Sequence, residues 1–242
     1  MSEVTLSTEG NRYAEGEIIL FDKPYGWTSF DLVKKVRNTI TRTHRIKKLK
    51  VGHAGTLDPL ATGLMVVCTG KATKMADQYQ AEEKEYLATL KLGATTPSFD
   101  LETEEDMSFS VEHITDELLH EVLKQFKGNL LQVPPVFSAV KIDGKRAYEH
   151  ARKGDQPELK PKNIVIHQIE IVSFHKPELI LSITCSKGTY IRALARDLGA
   201  ALQSGAYLTG LKRIRSGNFY VQDAVTIEAF TERLHNEREE II

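Results

Sequence analysis

The segment that most constrains the fold of this chain is residues 52–63, which read GHAGTLDPLATG. Three of these twelve residues are glycines, which adopt backbone conformations closed to other residues. Pro59 biases the preceding Asp58 away from helix and toward an extended conformation. The segment is therefore predicted to be a loop that presents Asp58 beside His53. For an isolated Asp-Pro pair, a structural turn with an ordinary loop histidine is the commoner interpretation.

Two kinds of site are excluded by the residues around this loop. Gly70-Lys71 is not part of a phosphate-binding P-loop, because the required earlier glycine and the following Ser or Thr are missing. His53 and Asp58 supply two metal ligands at best, and neither cysteine of the chain has a cysteine partner nearby. We therefore expect no metal and no nucleotide cofactor.

The length and composition are those of a globular protein. A chain of 242 residues can bury a full core in one large domain, or in one domain with a small subdomain. Its two cysteines are far apart and suit a reducing compartment. Residues 1–16 are polar and acidic, and the longest apolar run, residues 64–68, is too short to span a bilayer. We expect a polar N-terminal tail over residues 1–16 and a cytoplasmic protein without membrane contact.

A net charge of −1 hides a strong charge asymmetry along the chain. Residues 34–50, here called the basic segment, carry eight Lys or Arg side chains and no acid. Residues 100–121 carry nine carboxylates and no Lys or Arg. Such a basic segment can track a phosphate backbone, although a solvated helix face has the same pattern.

Hydrophobic periodicity predicts an α+β protein with a mixed, largely antiparallel sheet. The predicted strands are residues 17–22, 64–69, 86–92, 164–174, 179–185 and 208–214. The predicted helices are residues 28–40, 72–79, 116–127 and 191–202. Thr28 with Asp31 forms a capping-box signal, and Thr115 can cap the third helix. Residues 93–114 are predicted to be an irregular acidic excursion.

A protruding basic hairpin is predicted over about residues 132–154. Pro134-Pro135 excludes a central strand, and Asp143-Gly144 is a hairpin turn signal. Lys141, Lys145 and Arg146 border that turn.

Residues 52–63 resemble, almost letter for letter, the catalytic loop of the TruB family of bacterial tRNA pseudouridine synthases, which isomerise uridine 55 in the T loop of tRNA. The resemblance covers about residues 16–225 and implies the pseudouridine synthase fold, a curved sheet with a central cleft and a thumb-like hairpin that grips RNA. It implies that Asp58 is the nucleophile and that the reaction requires no cofactor.

The same resemblance assigns the other catalytic residues. Thr189-Tyr190-Ile191-Arg192 matches the motif that supplies an arginine partner to the aspartate, so Arg192 is the expected cation. Tyr86 and Tyr190 match tyrosines that line the uracil site. Tyr86 is the candidate for stacking on the ring and for accepting the C5 proton. Taken without the motif, strand tyrosines are more often core residues.

Three further substrate-binding residues follow from matching positions. Leu211 matches a leucine that packs on the target base, and Lys23, in the Lys23-Pro24 pair, borders the cleft. His53 resembles the histidine that fills the gap left by an extruded uridine.

The resemblance also implies a domain organisation and a partner. We expect a catalytic domain over residues 17–228, a C-terminal tail or helix over residues 229–242, and no PUA domain. The expected partner is the T stem-loop of tRNA, bound by a monomer. Two alternatives remain open: a non-catalytic tRNA-binding or folding module, and a pseudouridine synthase that acts on another RNA.

Overall fold

The computed structural model describes residues 8–138, 141–142, 145–146 and 159–240. The chain forms two compact units, which we call the first unit, residues 1–84 with 212–242, and the second unit, residues 85–211. The helices are α1 Thr8–Glu15, α2 Ser29–Thr43, α3 Ala76–Ala81, α4 Asp116–Lys124, α5 Ile191–Ala201 and α6 Ile227–Glu240. Short 3₁₀-helices occur at Gly70–Met75 and Val221–Asp223.

The strands agree in position with most of the sequence predictions. They are β1 Ile18–Lys23, β2 Val51–His53, β3 Ala61–Thr69, β4 Lys84–Leu92, β5 Ala94–Thr95, β6 Met107–Ser108, β7 Gly128–Gln132, β8 Lys141–Ile142, β9 Lys145–Arg146, β10 Lys162–His175, β11 Glu178–Cys185, β12 Ala206–Ser216 and β13 Phe219–Tyr220. Strand β3 pairs antiparallel with β1 and β2, β10 with β11 and β7, and β12 with β13, so the predicted α+β class with a largely antiparallel sheet is confirmed.

In the first unit, β3 is the central strand. It pairs with β1, from Ile18 opposite Cys68 to Lys23 opposite Gly63, and with β2, where His53 lies opposite Val67. Strand β3 is almost wholly buried, as expected for a strand covered on both faces. These pairings place the ends of β1 and β2 next to the loop that carries Asp58.

Helix α2 begins with the predicted capping box. The Thr28 hydroxyl accepts a hydrogen bond from the Asp31 backbone N–H at 3.0 Å, and the Asp31 carboxylate accepts one from the Thr28 backbone N–H at 3.1 Å. The buried side of α2 packs into the core of the first unit, together with Phe21 and Phe230, whose rings meet edge to face. The basic residues of α2 are left on its other side.

Residues 8–15 were expected to belong to a polar tail, and this expectation was wrong. They form α1, and the Tyr13 side chain is fully buried in the core of the first unit. A single buried aromatic residue in an otherwise polar octapeptide gives too weak a periodic signal to predict a helix.

The second unit contains β4 to β11 and the first half of β12, with the strand order β12-β4-β11-β10-β7 in its main sheet. Helices α4 and α5 cover this sheet with buried side chains such as Leu119, Leu194 and Leu198. Thr115 caps α4 as predicted, since its hydroxyl accepts a hydrogen bond from the Leu118 N–H. The excursion at residues 93–114 is more regular than expected, because β5 and β6 pair within it.

The predicted hairpin is described only in part. Strands β8 and β9 pair antiparallel, with Lys141 opposite Arg146 and Ile142 opposite Lys145. The turn at Asp143-Gly144 lies outside the described residues. Within the described part of the chain, no helix is long and apolar enough to cross a membrane.

Candidate active site

The loop between β2 and β3 holds Asp58 half-buried and is anchored on both sides of it. On one side, Ser29 Oγ donates to the Leu57 carbonyl at 3.0 Å and accepts from the Leu57 N–H at 2.9 Å. On the other side, the Gly26 N–H donates to the Pro59 carbonyl at 2.9 Å. The loop is thus held, on both sides of Asp58, by the turn that precedes α2 and by the first residue of that helix.

Lys23 lies beneath this loop with no solvent exposure. Its ammonium donates to the carbonyl oxygens of Trp27 at 2.6 Å, Pro24 at 3.0 Å and Pro59 at 3.4 Å. Burial lowers the pKa of Lys23 to about 8, the charge of Asp58 opposes that shift, and the charge of Arg213 adds to it. Lys23 is therefore a cation that three carbonyl oxygens hold in place and that is electrostatically coupled to Asp58.

Arg213 is a second buried cation in the first unit, only 1% exposed. Its Nε donates to the Leu64 carbonyl at 2.6 Å and its Nη2 to the Gly55 carbonyl at 3.2 Å. Gly63, at a φ of 98°, lets the Arg213 backbone approach so closely that a Cβ at Gly63 would collide with it. The guanidinium therefore ties β3 to the start of the Asp58 loop.

His53 ends β2 at the entrance to the loop. Burial and the nearby positive charge of Arg213 lower the pKa of His53 below its usual 6.5. The imidazole is therefore neutral at pH 7. A neutral ring can be covered by a base without the free-energy cost of desolvating a charge. The position of His53 at the loop is therefore suited to stacking on a base.

In the second unit, Arg192 occupies the first turn of α5 and is buried, with 5% exposure. Its Nε lies 3.5 Å from Asp100 Oδ2, and its Nη1 and Nη2 donate to the carbonyls of Ser98 at 3.2 Å and Phe137 at 2.8 Å. Arg192 is thus not an exposed arginine on a helix turn. Its guanidinium is fixed by partners from two different segments.

Tyr190 is positioned by a side-chain amide. Gln132, at the end of β7, accepts from the Tyr190 backbone N–H at 2.8 Å and donates to its carbonyl at 3.1 Å. Gln132 is buried, so both bonds are shielded from water. Tyr86 on β4 and Leu211 on β12 are partly buried and pack against the core of the same unit.

The predicted site residues therefore fall into two sets. Asp58, Lys23 and His53 belong to the first unit, where the charge of Arg213 acts on Lys23 and His53. A second set, in the second unit, consists of Tyr86, Tyr190, Arg192 and Leu211. Their assigned roles stay predictions.

Three positioning residues escaped sequence analysis: Arg213, Asp100 and Gln132. Nothing in the sequence separates Arg213 from the other basic residues near the last predicted strand, or Asp100 from the other acids of residues 100–121. A usable signal existed for Asp100, since Ser98, Asp100 and Thr103 can make local side-chain-to-backbone bonds typical of a structured loop. Among the residues that the structure describes, no cluster of three or more His, Cys, Asp or Glu could hold a metal ion.

Two family models match the chain. The TruB family pseudouridylate synthase N-terminal domain matches residues 42–191, and the tRNA pseudouridylate synthase B C-terminal domain matches residues 192–241. The chain belongs to the TruB family of pseudouridylate synthases. The extent of a single catalytic domain over residues 17–228 stays a prediction.

Curated relatives cover this TruB-family chain almost completely. A protein of Phocaeicola vulgatus named tRNA pseudouridine synthase B is 57% identical over 95% of this chain and 98% of its own length. Proteins of the same name from Flavobacterium johnsoniae and Chloroherpeton thalassium are 50% and 44% identical, over 92% and 91% of this chain and 97% and 91% of their own lengths.

Solved structures confirm the predicted pseudouridine synthase fold. A chain of a Cbf5-Nop10-Gar1 complex matches with a TM-score of 0.70 at 27% identity, over 95% of this chain and 57% of that chain. A chain of an archaeal box H/ACA Nop10-Cbf5 complex matches with a TM-score of 0.68 at 24% identity, over 98% and 59%. This TruB-family chain therefore spans somewhat more than half the length of these solved chains.

Proposed function

We propose that this protein isomerises uridine 55 in the T loop of tRNA to pseudouridine. The observation that carries the proposal is the 57% identity, over nearly the whole of both chains, to a protein named tRNA pseudouridine synthase B. The loop that presents Asp58, with its Leu-Asp-Pro core, supports the same reaction, because a pure RNA-binding module has no need of a carboxylate near phosphates.

The reaction breaks the bond between uracil N1 and ribose C1′, rotates the base, and joins C5 to C1′. N1 gains a proton and C5 loses one, so no redox step or outside group is required. We assign the covalent step to Asp58, which adds either to C6 of the ring or to C1′ of the sugar and is released unchanged at the end. Both routes require an ionised carboxylate.

Fixed cations favour that ionised form. Lys23 is coupled to Asp58 within the first unit, and its ammonium cannot swing away, because three carbonyl oxygens hold it. The family motif assigns Arg192 as the direct partner of Asp58. The fixed guanidinium of Arg192, held by Asp100 and two carbonyls, suits a role that demands one orientation.

The remaining site residues are assigned to the base. Tyr86 stacks on the uracil and accepts the C5 proton, while Tyr190 and Leu211 line its pocket. His53 fills the space left by the extruded uridine, a step that costs a few kcal/mol and that stacking of roughly 1 to 3 kcal/mol per base offsets. We further propose that the protein acts as a monomer in the cytoplasm.

The test is to incubate an unmodified tRNA transcript with the pure protein, without added metal or nucleotide, and to map pseudouridine by carbodiimide-blocked reverse transcription. A stop at position 55 is expected. Binding without any stop would favour a non-catalytic tRNA-binding module. Stops only in another RNA would favour a synthase with a different target.

A further inference from the structure

A cavity of about 410 Å³ lies on the surface of the first unit, outside the residues assigned to the reaction. It is lined by Gly26, Trp27, Asp31, Lys34, Lys35 and Asn38. The cavity is open, and its volume is in the range of small-ligand sites. It lies between the turn before α2 and the outer side of that helix.

Helix geometry explains why these side chains converge. Asp31, Lys34, Lys35 and Asn38 recur at intervals of three and four residues, so they share one side of α2. The opposite side is the apolar one that faces the core of the first unit. Trp27 is half-buried, since part of its ring packs against that core and the rest lines the cavity.

The cavity is positively charged. Lys34 and Lys35 are exposed, and the charge of Lys34 also acts on the nearby Asp31 carboxylate, whose pKa is lowered mainly by its hydrogen bonds to Thr28. The Asp31 carboxylate is engaged by Thr28, whose N–H and hydroxyl both donate to it, at 3.1 Å and 2.5 Å. Two ammonium groups are therefore available for a phosphodiester, whereas the end of α2 is already capped.

Aromatic surface accompanies the charge. Tyr25 and Phe30, on either side of Trp27 in the sequence, are 58% and 65% exposed, which is unusual for side chains of their size. Aromatic faces interleaved with Lys side chains are the combination that binds the bases and backbone of unpaired nucleic acid. A protein partner would be expected to bury a larger and less charged surface.

The turn that forms the cavity is bonded directly to the Asp58 loop. The Trp27 carbonyl accepts from Lys23 Nζ at 2.6 Å, and the neighbouring Gly26 N–H donates to the Pro59 carbonyl at 2.9 Å. A ligand that binds against Trp27 would therefore contact the turn whose backbone is hydrogen-bonded to the loop that carries Asp58.

We propose that this cavity is a nucleotide subsite for the RNA substrate. A base outside the target position stacks on Trp27, and the adjoining phosphates contact Lys34 and Lys35. The assignment rests on the proposed function, since it takes RNA as the substrate. It adds a binding site at the turn whose Gly26 N–H is hydrogen-bonded to Pro59 of the catalytic loop.

Trp27 is the single tryptophan of the chain, so its fluorescence reports on this cavity alone. An unmodified tRNA transcript should quench that fluorescence with the same midpoint as binding measured by filter retention. The same transcript should reduce quenching of Trp27 by acrylamide. If RNA binds while both the fluorescence and the acrylamide quenching stay unchanged, the cavity is not an RNA subsite.

A pair of double variants tests the charges. Lys34→Ala with Lys35→Ala should raise the Kd for RNA about tenfold, or about 1.4 kcal/mol, and flatten the salt slope of log Kd by about 1.4 to 1.8 for two phosphates. Lys124→Ala with Lys127→Ala removes the same charge from exposed positions of the second unit and should change Kd less than twofold. Equal effects of the two pairs would overturn the proposal.

Pseudouridine formation by the wild-type protein separates the two proposals. RNA-dependent quenching without pseudouridine would refute the proposed function and leave the subsite standing. Pseudouridine without quenching, and with no difference between the two double variants, would refute the subsite alone.

Discussion

Replacing Arg213 by lysine tests whether the guanidinium positions the Asp58 loop. Arg213 makes two hydrogen bonds from one buried group, to the Leu64 and Gly55 carbonyls, which lie on β3 and at the start of the loop. An ammonium carries the same charge but is a single point that lacks the fork of a guanidinium. The variant should keep one of these bonds and lose the other.

The expected magnitude follows from the bond that is lost. A hydrogen bond to a charged group contributes about 1.5 to 3 kcal/mol, and the abandoned carbonyl is left buried without its donor. Arg213→Lys should therefore lower the free energy of unfolding by about 2 to 3 kcal/mol. If the loop shifts by about 1 Å, kcat should fall about 100-fold, whereas KM should change little because Arg213 is only 1% exposed and has almost no surface to offer to RNA.

Urea denaturation and single-turnover pseudouridine formation measure the two effects. Arg215→Lys is the matched control, since Arg215 lies on the same strand and pairs with the partly exposed Glu83, where an ion pair contributes under about 1 kcal/mol. A loss of stability by Arg213→Lys with the wild-type kcat would contradict this prediction, because the residue would then be purely structural.

Three other predictions concern buried polar groups. Asp100→Asn should lower the free energy of unfolding by about 1.5 to 3 kcal/mol in urea and reduce kcat more than tenfold, because the buried Arg192 guanidinium loses its ion pair with Asp100 and part of what fixes its orientation; an unchanged midpoint would contradict this. Gln132→Ala should lower the free energy of unfolding by about 2 kcal/mol, and it should raise KM for tRNA because Tyr190 is displaced. Wild-type kinetics of this variant would refute the prediction. Because burial lowers the pKa of Lys23 from 10.5 to about 8, the unfolded chain binds more protons than the folded one between these values. The stability of the wild-type protein relative to Lys23→Met should then rise from pH 8 to pH 10.5, by up to about 3 kcal/mol, and equal pH profiles would contradict the buried cation.

The elements that were predicted correctly from sequence are those with local signals. Thr28 and Asp31 lie three residues apart, and their reciprocal bonds need no information from the rest of the chain. Thr115 caps α4 by the same local rule. Helix α1 was missed because its evidence is one buried tyrosine, Tyr13, whose burial depends on contacts with distant residues such as His44.

The candidate site shows the same difference between local motifs and contacts between residues that are distant in sequence. The motif around Asp58 singled out the loop as a candidate site and the Thr-Tyr-Ile-Arg string singled out Arg192, and the roles of both stay predictions. The groups that hold them are distant in sequence, since Arg213 lies 149 residues from its acceptor Leu64. Nothing in the sequence around Arg213 distinguishes it from the neighbouring surface cations, because its burial arises only when β12 pairs in the sheet.

The most direct test of the account is single-turnover modification of tRNA by Asp58→Asn, which replaces the carboxylate with an amide of the same shape. Pseudouridine at position 55 should fall below a few per cent of the wild-type yield, while tRNA affinity should stay within about tenfold, or about 1.4 kcal/mol, because the lost group acts in covalent chemistry and not in phosphate binding. Substantial residual turnover by Asp58→Asn would show that another residue is the nucleophile.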